Sequence, residues 1–193
     1  MKVGILSFQG SFLDHSKSIS SIGATPVLIK NEKDIYDLDA LILPGGESTA
    51  MKKIDTYSRV FTVLDEFIKS GKPTLSTCAG TILLAKEVIG GDSTIPNIDI
   101  QVTRNAYGRQ TESFEGSVSF YDNNDIYCFI RAPKITSILN DKIEVIAKHN
   151  EDIVGVKQDN IVALTFHPEL NNDKYYLNWL DNFIKEGENV RTL

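Results

Sequence analysis

The chain has few of the side chains on which covalent cross-links, metal sites and redox chemistry are built. Its two cysteines, Cys78 and Cys128, are too few for a disulfide framework, and no Cys-x-x-Cys pair offers a zinc or dithiol site. With only three histidines, His15, His149 and His167, in separate sequence contexts, no metal-ligand spacing is present, and neither a metal nor a cofactor is expected. No stretch approaches the length of apolar sequence that a transmembrane helix needs. The first residues, Met1-Lys2-Val3-Gly4-Ile5-Leu6, lead into a strand-like segment rather than a signal peptide, so a reducing cytoplasm is the expected location. Lysine and arginine form no run, and the balance of 20 basic against 26 acidic residues leaves a net charge of −6. That charge argues against nucleic acid or an anionic membrane as a partner. Repeats, low-complexity tracts and Pro/Ser-rich linkers are missing too, so residues 1–193 are expected to form one domain.

What is present is a strand–helix alternation followed by a strand-rich half. Strands are expected at Val3–Phe8, Pro26–Ile29, Ala40–Leu43 and Pro73–Thr77. Helices are expected at Gly10–Ile22, at Ser58–Lys69 and at Ala79–Val88. Such alternation implies a parallel sheet covered by helices on both faces. Further strands are expected at Ile98–Arg104, Glu112–Tyr121, Ile126–Ile130, Ile143–Ala147, Ile153–Lys157 and Ile161–Phe166. Hairpin turns are expected at Asn123-Asn124-Asp125 and Asp159-Asn160, and a closing helix at Asp173–Lys185. The expected architecture is a three-layer α/β/α fold with a mixed, mostly parallel, flavodoxin-like central sheet and a small antiparallel portion.

Three distant segments carry chemistry. In Thr77-Cys78-Ala79-Gly80 a cysteine sits between a strand and a helix, where a tight bend exposes a nucleophile above the carboxyl ends of the sheet. The helix start behind it favours negative charge on sulfur, and the Ala79 N–H is a natural oxyanion donor. In Phe166-His167-Pro168-Glu169 a histidine and a carboxylate two residues apart end a strand, so Glu169 can orient the imidazole of His167. In Leu43-Pro44-Gly45-Gly46-Glu47-Ser48-Thr49 a Gly-Gly turn can aim backbone N–H groups at an oxygen beside Cys78. No Gly-Lys-Ser/Thr follows, so the turn is not a P-loop. Together these are the parts of acyl transfer through a thioester. Two arginine segments, Arg104–Gln110 and Phe129–Pro133, add guanidinium groups able to grip an α-carboxylate. His15 reads as an ordinary residue of a helix face, core or surface, and Cys128 as an inert strand cysteine.

These segments resemble class I, triad-type glutamine amidotransferases, and within them the glutaminase subunits of two-component pyridoxal 5′-phosphate synthases. The narrower likeness rests on Gly46-Glu47-Ser48-Thr49, Arg104–Gln110 and Phe129–Pro133, and it spans nearly the whole chain. The resemblance implies that Cys78, His167 and Glu169 hydrolyse L-glutamine to L-glutamate and ammonia. It implies that Gly46, Glu47, Ser48, Arg104, Ile130 and Arg131 hold the glutamine, with Gly46 and Ala79 forming the oxyanion hole. It also implies that ammonia passes to a barrel-shaped synthase partner whose docking orders the Gly45-Gly46 turn. Ser76 departs from the glycine usual before Thr-Cys-Ala-Gly. Rival expectations are an amidotransferase of another pathway and a non-catalytic subunit that retains the fold.

Overall fold

The computed structural model describes residues 1–107, 113–171 and 173–189. Its centre is a nine-stranded sheet whose order is β2-β1-β3-β4-β12-β11-β10-β7-β8. The strands are β1 (Lys2–Leu6), β2 (Thr25–Ile29), β3 (Ala40–Leu43), β4 (Thr74–Thr77), β7 (Ser113–Phe120), β8 (Asn123–Ile130), β10 (Glu144–His149), β11 (Asp152–Gln158) and β12 (Ile161–Leu164). Strands β2, β1, β3, β4 and β12 run parallel. From β12 outward the pairing becomes antiparallel through β11, β10, β7 and β8. A second sheet of three strands joins β5 (Ala85–Ile89), β6 (Ile98–Thr103) and β9 (Lys134–Ile138).

Alternation along the parallel strands divides the core between the two faces of the central sheet. Val3, Ile5, Ala40, Ile42, Val162 and Leu164 point to one side, where Ile19 of helix α1 (Phe12–Ser21) and Tyr176, Leu180 and Ile184 of α5 (Lys174–Asn189) cover them. Leu6, Leu41, Leu43 and Ala163 point to the other. There they meet Met51 of α2 (Ser48–Ser58), Phe61, Leu64 and Ile68 of α3 (Val60–Lys69), Ile82 of α4 (Ala79–Leu84), and Ile100 and Val102 of the second sheet. Both faces are therefore buried, and β3 and β12 are apolar throughout, whereas β4 buries Thr74, Ser76 and Thr77 beside Leu75. Among the described residues no helix is long and apolar enough to cross a membrane.

Four expectations are corrected. The helix expected at Ala79–Val88 stops at Leu84: Ala85 turns extended (φ −62°, ψ 138°) and its segment pairs with β6 instead. Leu83, Leu84 and Val88 fit a helical spacing, but edge pairing with Ile98–Thr103 wins over it. The hairpin turn expected at Asn123-Asn124-Asp125 is instead Tyr121-Asp122, because Asn123, Asn124 and Asp125 already pair with Phe120, Ser119 and Val118. Tyr121 makes that turn in the left-handed region (φ 48°). Strand β9 has no counterpart in the sequence reading, since Ile135 is its only buried residue. Finally, the strand leading to His167 ends at Leu164, and Pro168–Leu170 forms a 3-10 turn. The turn at Asp159-Asn160 stands as expected, between Gln158 and Ile161.

Candidate active site

The site forms where the parallel half of the sheet ends. Strands β4 and β12 are neighbours, with Thr77 paired to Leu164. The residues following them, Cys78 and Thr165–Glu169, therefore leave the sheet side by side although some ninety positions separate them in the chain. The Cys78 N–H donates to the Leu164 carbonyl (2.9 Å), and the His167 N–H donates to the Cys128 carbonyl of β8 (2.9 Å). The Cys78 segment is thereby held from β12, and His167 from β8.

Cys78 adopts φ 47°, ψ −106°, a conformation that non-glycine residues rarely take. Strain of this kind persists only where the surroundings impose it, and it collects at functional sites. The bend lifts Sγ off the end of β4, where the thiol donates to the Ile130 carbonyl (3.5 Å). Ala79 opens α4, and no earlier helical carbonyl is available to its N–H. Gly80 is required by close approach: a Cβ there would lie 2.0 Å from the Leu43 carbonyl oxygen.

His167 and Glu169 meet through the 3-10 turn rather than by strand alternation. Nδ1 of His167 lies 2.7 Å from Oε1 of Glu169, and Pro168 opens the turn at the position that tolerates a missing N–H. Burial pulls the His167 imidazole toward its neutral form, but the Glu169 carboxylate and the Cys78 side chain outweigh it and hold its pKa well above the usual 6.5. Burial likewise opposes charge on Glu169, yet His15 and His167 hold its carboxyl far below the usual 4.5. The buried Nε2 of His167 makes no hydrogen bond of good geometry among the described residues. Cys78 is the side chain beside it that raises its affinity for a proton.

The Gly-Gly turn lies over this pair. A Cβ on Gly45 would sit 2.2 Å from Cε1 of His167, so only glycine lets the loop rest on the imidazole. The Gly45 N–H donates to Thr77 Oγ1 (3.0 Å), and the Glu47 N–H donates to Gln9 Oε1. Between them, the Gly46 N–H makes no hydrogen bond to a described residue.

The other expected site residues are placed as follows. The Glu47 carboxylate caps α2 by accepting from the Thr49 and Ala50 N–H groups (3.0 and 2.9 Å), and Ser48 is buried at the start of that helix. Arg104 reaches the same cap, 3.5 Å from Glu47 Oε1 and 3.1 Å from Thr49 Oγ1. Burial tends to raise the Glu47 pKa, and the two helix N–H groups with Arg104 turn the balance to a lowered value. Ile130 meets Cys78 through its carbonyl. Arg131 follows in the left-handed region (φ 44°), and its guanidinium has no ion-pair partner among the described residues. Gly108, Arg109 and Gln110 of the first arginine segment lie outside the described residues.

Two residues mean more in the structure than in the sequence. His15 is fully buried, with Nε2 3.1 Å from Thr77 Oγ1 and 3.4 Å from Glu169 Oε1. Its fourfold spacing from Ser11, whose hydroxyl donates to the same Oε1 (2.7 Å), was the one available signal. Ser76, in place of a glycine, shares a hydrogen bond with Thr81 Oγ1 (3.0 Å) and lies within 3.4 Å of the Val162 carbonyl. Ser76→Gly is therefore expected to lower stability by about 1 kcal/mol, from the lost bond and the freer backbone. Urea unfolding checks this, and glutamine turnover should stay unaltered.

Residues 5–189 match the model of the SNO glutamine amidotransferase family. The chain belongs to that family. The pyridoxal 5′-phosphate synthase subunit PdxT of Clostridium beijerinckii is 45% identical over 183 residues, which cover 93% of this chain and 96% of that protein. PdxT of Geobacillus thermodenitrificans is 41% identical over 197 residues and the full length of both. A crystal structure of a glutamine amidotransferase superposes with a TM-score of 0.87 at 32% identity, covering 95% of this chain and 98% of that one.

Proposed function

We propose that this amidotransferase is the glutaminase subunit of a pyridoxal 5′-phosphate synthase. It hydrolyses L-glutamine to L-glutamate and ammonia, and it delivers the ammonia to a barrel-shaped synthase. The observation that carries the chemistry is the arrival of Cys78 and the His167–Glu169 pair at adjacent ends of β4 and β12, under a turn whose Gly46 N–H has no hydrogen-bond partner among the described residues. Cys78 passes its proton to His167 and attacks the side-chain amide carbon. The tetrahedral oxyanion is met by the Gly46 and Ala79 N–H groups. His167 returns the proton to the departing nitrogen, which leaves as ammonia, and a thioester remains. Water, deprotonated by His167, then attacks the thioester and frees glutamate and the thiol. Glu169 holds the imidazole in the tautomer this needs and stabilises its charged form.

On this reading Arg131, which has no ion-pair partner among the described residues, takes the α-carboxylate of glutamine, while Arg104 and Glu47 brace the oxyanion turn at the start of α2. A thiol nucleophile needs reducing surroundings, which agrees with a cytoplasmic protein in which both cysteines are free. The test is ammonia release from glutamine, measured alone and with the purified synthase subunit. Release that rises on adding the synthase supports the reading. Equal release with and without it, or none in either case, refutes it.

Gly45 offers a sharper check. Gly45→Ala places a methyl on the His167 ring and has to displace either the loop or the base. A displacement of about 1 Å at a reacting group costs on the order of 100-fold in rate. We expect kcat to fall by about that factor while circular dichroism stays that of the parent. Unchanged turnover would mean that the loop does not rest on the imidazole.

A further inference from the structure

His15 takes no part in the acyl transfer described above, yet it is completely buried between two parts of the site. From the first turns of α1 its Nε2 approaches both Oε1 of Glu169 (3.4 Å) and Oγ1 of Thr77 (3.1 Å). Thr77 Oγ1 in turn accepts the Gly45 N–H (3.0 Å). One turn earlier on the same helix face, Ser11 repeats the arrangement. Its hydroxyl donates to Glu169 Oε1 (2.7 Å) and its backbone N–H donates to the Gly45 carbonyl (3.1 Å).

The partners fix the tautomer. A buried carboxylate accepts only, so the His15 nitrogen facing it has to carry the proton. The other ring nitrogen, Nδ1, is buried without a hydrogen-bond partner among the described residues. Among the groups that hold Glu169 ionised, His15 stands beside His167.

Resting on the reading of Cys78, His167 and Glu169 given above, we infer that His15 is a positioning residue. Its Nε2–H, shared between Glu169 and Thr77, ties the carboxylate that aligns His167 to the hydroxyl that anchors the oxyanion turn. It touches neither substrate nor sulfur, and it sets the mutual placement of base and oxyanion donors. A histidine kept only for packing would tolerate an apolar replacement of similar volume. A positioning histidine requires a donor at the Nε2 location, which glutamine supplies and leucine does not.

The experiment compares His15→Leu and His15→Gln with the parent and with Cys78→Ala, alone and with the synthase subunit. The readouts are kcat and KM for glutamine and the rate at which iodoacetamide alkylates Cys78. For His15→Leu we expect kcat about 10- to 100-fold lower with KM within about twofold, and slower alkylation, because the base is misplaced while the substrate contacts remain. His15→Gln is expected to recover most of both. Should leucine prevent folding, His15→Asn replaces it, since its shorter amide falls short of the carboxylate. The inference is overturned if a folded His15→Leu or His15→Asn protein keeps the parent kcat, or if His15→Gln is no better than either. Glutamine hydrolysis that survives Cys78→Ala is a separate failure. It removes the thiol mechanism itself, and the role of His15 with it.

Discussion

Replacing Cys78 with alanine is expected to abolish glutamine hydrolysis, with kcat reduced by at least about 10⁴-fold. In triad hydrolases the loss of the nucleophile removes nearly all of the rate enhancement, because the remaining groups have nothing left to activate. Here the effect should be clean. Alanine removes only the sulfur, whose hydrogen bond to the Ile130 carbonyl is a long one (3.5 Å). The bend at φ 47° remains, imposed by the Leu164 carbonyl and the start of α4. Glutamine should still bind, so calorimetry on Cys78→Ala should give a dissociation constant close to the parent's while ammonia release vanishes. Turnover persisting in a protein free of wild-type contamination would place the nucleophile elsewhere.

The second large effect is expected from Glu169→Gln. Oε1 of Glu169 accepts from Ser11 and His167 and lies near His15. A glutamine amide can offer its oxygen to only some of these. If its nitrogen faces His167, two donors oppose each other and the imidazole is driven to the tautomer unable to act as base toward Cys78. Removing the charge also removes what stabilises the imidazolium. The analogous loss of charge in other triads costs on the order of 10⁴-fold in kcat, and a similar fall is expected here.

Glu169→Gln also carries a stability signature whose sign follows from the lowered pKa. The folded protein holds this carboxyl below the usual 4.5, so between the folded value and 4.5 the unfolded chain binds the additional proton. The carboxylate's contribution is thus complete above 4.5 and is lost as pH falls through that window. Urea midpoints measured at pH 5 and pH 3 should drop less for Glu169→Gln than for the parent. An equal drop would show that folding does not lower the Glu169 pKa.

The segments proposed to be catalytic stood out in the sequence because their pattern is local: an elbow needs a strand, a nucleophile and small residues in consecutive positions. The alternating half of the sheet was legible for the same reason, since each strand is a short apolar run ended by turn residues. What escaped depended on distant partners. His15 looks like any helix-face histidine until β12 and its following turn bring Glu169 against it, 154 positions later in the chain. Strand β5 reads as helix because its apolar spacing is satisfied either way, and only pairing with β6 decides. The contact between His167 and Glu169 was expected from residues of an extended strand, and the turn at Pro168 provides it by another route.

Strand β12 lies between β4 and β11, yet it follows both of them in the chain. A nascent chain halted at residue 160 would hold a split sheet, with the edge of β4 bare and the sulfur already made but no imidazole to serve it. Such an edge is a hazard for misassembly as well as an incomplete enzyme. On the proposed reading, one short strand and the turn after it both close the sheet beside β4 and supply the base for Cys78.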